Sequence, residues 1–300
     1  MDFKQFSRSA IDEAKWNNRI EYSDYPHAYG TTSFLDIACP NGWEALVWGD
    51  YDAVMPFPLG RVLIYHQTFT PFWIQQLGVF KKEGFSIDKE LLQAFLLKKY
   101  RLFDCCVFDA SDFKKEWIQQ ERLNFELPLD ENRKANYSKN LKRLIKKAEK
   151  SELKWEESTD INTLIQFFRE NKGVQINAYK DQDYTRLQRL IEQDVHKGEG
   201  IVLQVKSEGV IVAMAFFQIA FGRASYLLGT SNEEGRGQGA MQFLLDAFIS
   251  NYHKNLSILD FEGSMIPGIQ RFVKSFGAKP KTYFRVKFNR LPFPLNKLKK

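Results

Sequence analysis

The run Arg236-Gly237-Gln238-Gly239-Ala240, placed just ahead of an amphipathic stretch, is the clearest chemical signal in the chain. Glycines let a backbone approach a ligand closely, and the free N–H groups at a helix start favour anions. Arg236 would add a charge-assisted bond to a phosphate. The same residues also suit an ordinary glycine turn that caps a helix. Further along, Ser257–Phe261 is a short apolar run carrying Asp260, with Glu262 directly after it. A carboxylate at the end of a buried strand that opens on a cleft can receive a proton or orient a reactant. It can equally bond the N-terminus of the next helix. Tyr283 and Arg285 alternate onto one face of a final strand, where the phenol either donates a proton to a leaving group or closes the cleft with a satisfied hydroxyl.

The elements that must position these residues occur twice. Shifted by 153 positions, Leu91–Ser111 lies on Leu244–Ser264 without a gap, with identities at Leu91/Leu244, Leu92/Leu245, Ala94/Ala247, Phe95/Phe248, Phe108/Phe261 and Ser111/Ser264. Each copy reads as an amphipathic helix followed by a short buried strand. In the second, Met241, Leu244, Leu245, Phe248 and Tyr252 share one helical face. Each copy also has a hairpin upstream: Trp43–Val47 with Ala53–Phe57, and Ile201–Val205 with Val210–Ile219. A third strand follows, at Phe72–Phe80 in one copy and Ala224–Leu228 in the other. This order implies an α/β (α+β) protein of two tandem domains, residues 1–130 and 131–300. Each would have a mixed, mostly antiparallel sheet flanked by helices. The first copy has Val79-Phe80-Lys81-Lys82-Glu83-Gly84 where the second has its glycines, so anion binding by such a turn is expected only in the second. Trp43, Trp48, Trp73, Gln75 and Gln76 then either hold a ligand in the first or pack its core.

A chain of 300 residues with 44% apolar and 27% charged residues is a globular protein and excludes a disordered tail. No apolar run approaches the length of a bilayer span, and the N-terminus does not read as a secretory signal. Three cysteines make no disulfide framework and read as buried thiols of a cytoplasmic protein. Four scattered histidines give no metal spacing. The net charge of +6 is concentrated: Arg133–Lys150 holds eight Lys or Arg and one Glu, and Lys297, Lys299 and Lys300 close the chain. Tyr137–Lys150 reads as a basic amphipathic helix. Arg133 just before it and Lys139, Arg143 and Lys147 on it either meet the phosphates of tRNA, a nucleotide or a lipid headgroup, or form a solvated face.

Strand, strand, strand and then Arg236-Gly237-Gln238-Gly239 opening a helix resembles the acyl-CoA-binding segment of the GNAT N-acyltransferase superfamily. The tandem arrangement is similar to the FemABX-type branch, peptidyltransferases that add amino acids from aminoacyl-tRNA to peptidoglycan precursors. Tyr137–Arg143 resembles that branch's basic helix entering the second domain, Leu259–Ser264 its D-F-x-G strand end, and Gly268–Ala278 the helix that follows. The likeness runs broadly from about residue 30 to 290 and is sharpest from 135 onward. Two positions depart from it: Met241 stands where the superfamily has a third small residue, where it could close the pyrophosphate site, and no long helical arm is visible.

The resemblance implies an acyl or aminoacyl group moved to an amine in a cleft between the domains, without a metal. The donor would be an acyl-CoA or an aminoacyl-tRNA, and the acceptor a small-molecule or peptidoglycan-precursor amine. Amine acylation needs an unprotonated amine, a stabilised oxyanion and a proton for the leaving group. Glu262 is the first candidate to serve the amine and Asp260 the next. The resemblance gives Lys274 a place facing negative charge in the donor or transition state. Arg236, Gly237, Gln238, Gly239 and Ala240 would hold the donor; Lys139, Arg143, Trp73, Gln75 and Arg285 would hold substrate. A binding protein that keeps the fold and has lost the chemistry is the alternative.

Overall fold

The computed structural model describes residues 2–173 and 178–298, so the expected basic contribution of Lys299 and Lys300 lies outside the described residues. The chain divides into two compact units: Met1–Arg122 together with Thr282–Lys300, and Leu123–Lys281.

The first unit contains β1 (Phe3–Ser7), α1 (Glu13–Glu21), α2 (Thr32–Ala38), β2 (Trp43–Trp48), β3 (Ala53–Val62), β4 (Tyr65–Phe69), β5 (Phe80–Lys81), α3 (Lys89–Lys99) and β6 (Leu102–Val107). The strand β7 (Ile118–Pro128) leaves it. The second unit then adds α4 (Lys139–Glu149), β8 (Lys154–Glu157), α5 (Ile161–Asn171), α6 (Asp181–Lys197), β9 (Gly200–Ser207), β10 (Val210–Ala220), β11 (Arg223–Ser231), α7 (Glu233–Gln238), α8 (Ala240–Asn251), β12 (Ile258–Asp260) and α9 (Pro267–Ser275). Finally β13 (Lys279–Asn289) and α10 (Leu295–Leu298) return the chain to the first unit.

Both sheets follow one scheme. In the first, β1, β2, β3 and β4 pair antiparallel in turn, β4 pairs parallel with β6, and β6 pairs antiparallel with β13. In the second, β8, β9, β10 and β11 pair antiparallel, β11 pairs parallel with β12, and β12 pairs antiparallel with β7. The duplicated helix–strand segment, now α3–β6 and α8–β12, therefore holds the same place in each. The strand after it is exchanged: β7 follows β6 in sequence but completes the second sheet, and β13 follows β12 but completes the first. This is why the compact units differ from a simple cut at residue 130, with residues 282–300 falling to the first unit.

The hydrophobic pattern accounts for the layers. Leu244, Leu245, Phe248 and Ile249 on α8 are fully buried, and the Phe248 ring stacks on Phe217 of β10 at 3.7 Å between centroids. Leu92 and Leu96 of α3 do the same in the first unit, packed with Trp48, Phe57 and Phe103. Apolar burial of this kind is the main drive to the fold. One expected element is absent. The third strand of the first unit is β4, not Phe72–Phe80, of which only Phe80 enters a strand, pairing through β5 with Val54 on β3. Thr68 and Gln67 made β4 too polar to register as an apolar run.

Cys39 and Cys105 are buried free thiols whose burial pushes their pKa up, and no helix among the described residues is long and apolar enough to cross a membrane.

Asp194, buried at the end of α6, tests the packing of the second unit. Burial, with Glu199 nearby, pushes its pKa up to about 7. A carboxyl that binds its proton more tightly when folded adds stability that is full below its unfolded pKa and is lost as pH rises through the folded value. Asp194→Asn should thus exceed the wild type in stability by about 2 kcal/mol above pH 7, and the gap should close as the pH falls toward 4. Denaturant melts across pH check it.

Candidate active site

In the second unit, β11 pairs with β12 only through Arg223–Ser225, yet it runs on to Ser231. Opposite that stretch the register of β10 slips between Phe216 and Phe217, leaving Leu227 as a bulge. Bulges bend a strand and re-aim it. Beyond Ser225, the edge of β11 that faces β12 has no strand paired to it among the described residues. The two parallel strands thus pair only from Arg223 to Ser225, and β11 runs on past the end of β12.

The glycine run follows the end of β11. It is not an open loop. Residues 233–238 form the short helix α7, capped by Asn232, whose side chain accepts from the Gly235 N–H at 2.8 Å. Gly239 then takes φ +76° and begins α8. Gly235 is demanded by packing, because a methyl group there would meet the Val212 carbonyl oxygen at 2.2 Å. Gly237 is different: nothing lies within 4 Å of a methyl group placed on it. No side chain caps α8, so its leading N–H groups face the turn. Arg236 is exposed and donates to the Ser231 carbonyl at 2.6 Å, and Gln238 donates to Ser207 and Glu234. Met241 does not obstruct this surface. Its side chain is buried under α8, where its sulfur accepts from the Tyr226 hydroxyl at 3.2 Å. The helix α4 lies alongside, with Leu144 Cβ 3.9 Å from a methyl group placed on Gly239. Leu141, Ile145 and Ala148 face inward, while Lys139, Lys142, Arg143, Lys146 and Lys147 are exposed. This surface therefore presents backbone N–H groups and positive charge of the kind that suits an anion.

The carboxylates sit at the end of β12. Asp260 is buried: its Oδ2 accepts from Arg223 at 2.7 Å and its Oδ1 from the Glu262 N–H at 2.9 Å. The same Arg223 nitrogen donates to Glu126 on β7 at 2.8 Å, and Lys281 stands 3.6 Å from that carboxylate. Asp260 is thereby committed to an ion-pair cluster. Glu262 follows at φ +63°, a left-handed conformation that is rare outside glycine. Part of its side chain reaches solvent, but protein packs densely around the carboxyl, and that desolvation pushes its pKa up to about 8. A proton acceptor tuned near neutrality is a mark of a functional carboxyl. Lys274 on α9 is exposed, its ammonium 5.5 Å from the centre of the Phe125 ring. Nearby on β7, Asn124 is buried with neither side-chain polar atom hydrogen-bonded among the described residues.

The remaining candidates belong to the first unit. Tyr283 is buried on β13. Arg285 is held by Asp104 through two 2.7 Å bonds, so it is not an open substrate ligand. Burial opposes ionisation of Asp104, but Arg285 and Lys287 hold its carboxyl below the usual range. Trp73 and Gln75 are half-buried, and Gln75 accepts from Gln76, which also donates to Tyr25. In this unit the corresponding junction is filled by its own chain: Leu77 bridges to Val107 of β6, and Thr70 accepts from the Cys106 N–H at 2.7 Å. Arg223, Glu126 and Asn124 were not singled out from sequence, although an arginine opening an otherwise apolar strand was a readable sign.

Residues 135–264 match the model of the acetyltransferase (GNAT) domain family. The crystal structure of FemX superposes with a TM-score of 0.66 at 14% identity over 99% of both chains. The chain has a tandem GNAT fold of the FemX type. A tandem GNAT protein from the clavulanic acid biosynthesis pathway gives a TM-score of 0.55 at 11% identity, covering 97% of this chain and 99% of that one. The C-terminal domain of a putative lysylphosphatidylglycerol synthetase from Agrobacterium fabrum gives 0.59 at 13%, covering 97% and 95%. No curated protein sequence matches the chain. Within the tandem GNAT fold, the split between β11 and β12 and the turn into α8 fall inside the matched segment, and the described residues hold no cluster of three or more metal-ligating side chains.

Two substitutions test this geometry. Arg223→Ala strips the partner from Asp260 and Glu126 and should lower stability by about 4 kcal/mol, read by denaturant melts at pH 7. Gly235→Ala should destabilise by about 2 kcal/mol or more through its clash with Val212, whereas Gly237→Ala, in open space, should be neutral or raise stability by about 0.5 kcal/mol.

Proposed function

We propose that the second unit transfers an acyl or aminoacyl group to an amine, with the donor along the open edge of β11 and Glu262 as general base. The observation that carries this reading is the coincidence of three features: β11 running on past its short pairing with β12, an α8 start with no side-chain cap beside Gly237, and a carboxyl tuned near neutrality.

The donor is an acyl-CoA or an aminoacyl-tRNA; both combine a phosphate-bearing carrier with an activated carbonyl. Phosphate rests against the N–H groups opening α8, with Arg236 beside them. The basic face of α4 supplies further positive charge and suits the longer phosphate chain of tRNA. The donor's carbonyl lies near the β11 edge, where a backbone N–H stabilises the oxyanion. The acceptor is a small amine or the amine of a peptidoglycan precursor. Its nitrogen attacks the carbonyl carbon as Glu262 takes the proton that nitrogen loses. The tetrahedral intermediate then collapses, the bond to the carrier's sulfur or ribose oxygen breaks, and the proton taken by Glu262 passes to that leaving atom, which restores the carboxylate. Positioning lowers most of the barrier. Lys274 faces the negative charge of donor or intermediate, and Asp260 serves as the anchor that fixes the Glu262 backbone.

A base with a pKa of about 8 gives a definite pH profile, since only the ionised carboxylate accepts a proton. With acetyl-CoA or an aminoacyl-tRNA as donor, kcat/KM should rise about tenfold per pH unit below that value and level off above it. Glu262→Gln should bind donor normally, lose activity by about 100-fold or more, and lose the pH limb. A protein that only binds would show no turnover in either form.

A further inference from the structure

The four most exposed large apolar residues among those described are Ile64, Leu63, Leu298 and Phe293, each more than 70% accessible, and all belong to one end of the first unit's sheet. Leu63 and Ile64 form the two-residue turn between β3 and β4. His66, at the start of β4, accepts from the Arg101 N–H at 2.9 Å, and Arg101 accepts from the Arg290 N–H at 2.7 Å. These bonds place the β3–β4 turn, the start of β6 and the end of β13 at the same edge. The segment after β13 is tied there by Asn289, which donates to the Asn296 carbonyl at 3.0 Å, and it carries Phe293 and Leu298.

The turn is the informative part. Two-residue hairpin turns favour Asn-Gly, Asp-Gly or a leading glycine, because they need left-handed backbone. Here Leu63 adopts φ +53° and is followed by Ile64, both pointing into solvent. Strain and apolar exposure at one tip give the fold nothing in return, and such features mark an interaction site. The charges around it have one sign. Arg61, Arg101, Arg290 and Lys297 have no carboxylate at ion-pair distance among the described residues, and Lys297 lies 5.3 Å from the centre of the Phe293 ring. The acid at this edge, Glu44, is taken up by Lys99 and Tyr100. A cavity of about 570 Å³ opens beside the turn, lined by Arg61, His66 and Lys99 together with Glu44 and Asn41.

We propose that this edge docks on an anionic lipid bilayer. The aliphatic tip and Phe293 enter the interface between headgroups and acyl chains, and the arginines and lysines meet the lipid phosphates. Protruding side chains ringed by cations fit a fluid anionic surface; a protein partner would require a matching groove. The proposal is independent of the chemistry assigned to the second unit.

Vesicle co-sedimentation tests it, with the full chain and vesicles of phosphatidylcholine containing about 30% phosphatidylglycerol. The wild type should bind these and ignore pure phosphatidylcholine, and binding should weaken as salt is raised. Leu63→Asn with Ile64→Gly installs the preferred turn, so the fold should be kept or stabilised while binding falls by about tenfold or more. Phe293→Ser with Leu298→Ser, outside any strand, should weaken binding without touching the turn. The idea is overturned if the wild type ignores anionic vesicles, or if both folded variants bind as tightly as it does. It is also overturned if the wild type is a dimer in solution and the turn variant a monomer, which would make a second copy the occupant.

Discussion

The Arg223 guanidinium, buried between Asp260 and Glu126, is the constraint on which the second unit's site depends. It joins three strands, β11, β12 and β7, at the level where β11 and β12 stop pairing. A buried charge is tolerable only when it is paired and bonded on all sides. That requirement fixes the end of β12, and with it the backbone carrying Glu262. Asp260 completes the arrangement by accepting from the Glu262 N–H, which holds that residue in a left-handed conformation it would not choose alone. The backbone of Glu262 is thus set by a neighbouring carboxylate that is itself ion-paired.

Duplication gives the two sheets the same junction with different contents. Both sheets use the same pairing scheme, so each has a parallel junction where a strand pair can part. In the first unit, Leu77 and Thr70 bond across the junction to β6, and Phe80–Lys81 joins β3 where the second copy has its glycine turn. In the second, the bulge at Leu227 and the short β12 leave the junction open. Exchange of β7 and β13 gives each sheet a strand from the other half of the sequence.

Much of this was legible in the sequence because it rests on local pattern. The 3.6-residue spacing of Leu244, Leu245 and Phe248 and the alternation in the hairpins are set by neighbours in the chain, and those elements appear where the pattern puts them. The strand exchange was not legible, since pairing β13 with β6 depends on contacts about 180 residues apart that no local window contains. Polar Gln67 and Thr68 hid β4. The place of Glu262 after an apolar run is visible in the sequence, but its raised pKa comes from tertiary packing. The part played by Arg223 likewise comes from two strands distant in sequence. Gly235, Gly237 and Gly239 look alike in sequence and differ only in what surrounds them: a carbonyl, open space and a left-handed turn.

The central claim is that the β11 edge and the start of α8 seat a phosphate-bearing acyl donor. Calorimetric titration of the purified chain with acetyl-CoA, and separately with an aminoacyl-tRNA, measures this most directly, with Gly237→Leu as the control because a methyl group placed there meets nothing within 4 Å. The account predicts that one of the two donors binds the wild type and that the leucine weakens it by about tenfold or more while leaving the melting temperature unchanged. If neither donor binds, or if Gly237→Leu binds as the wild type does, the donor seat is not at α8.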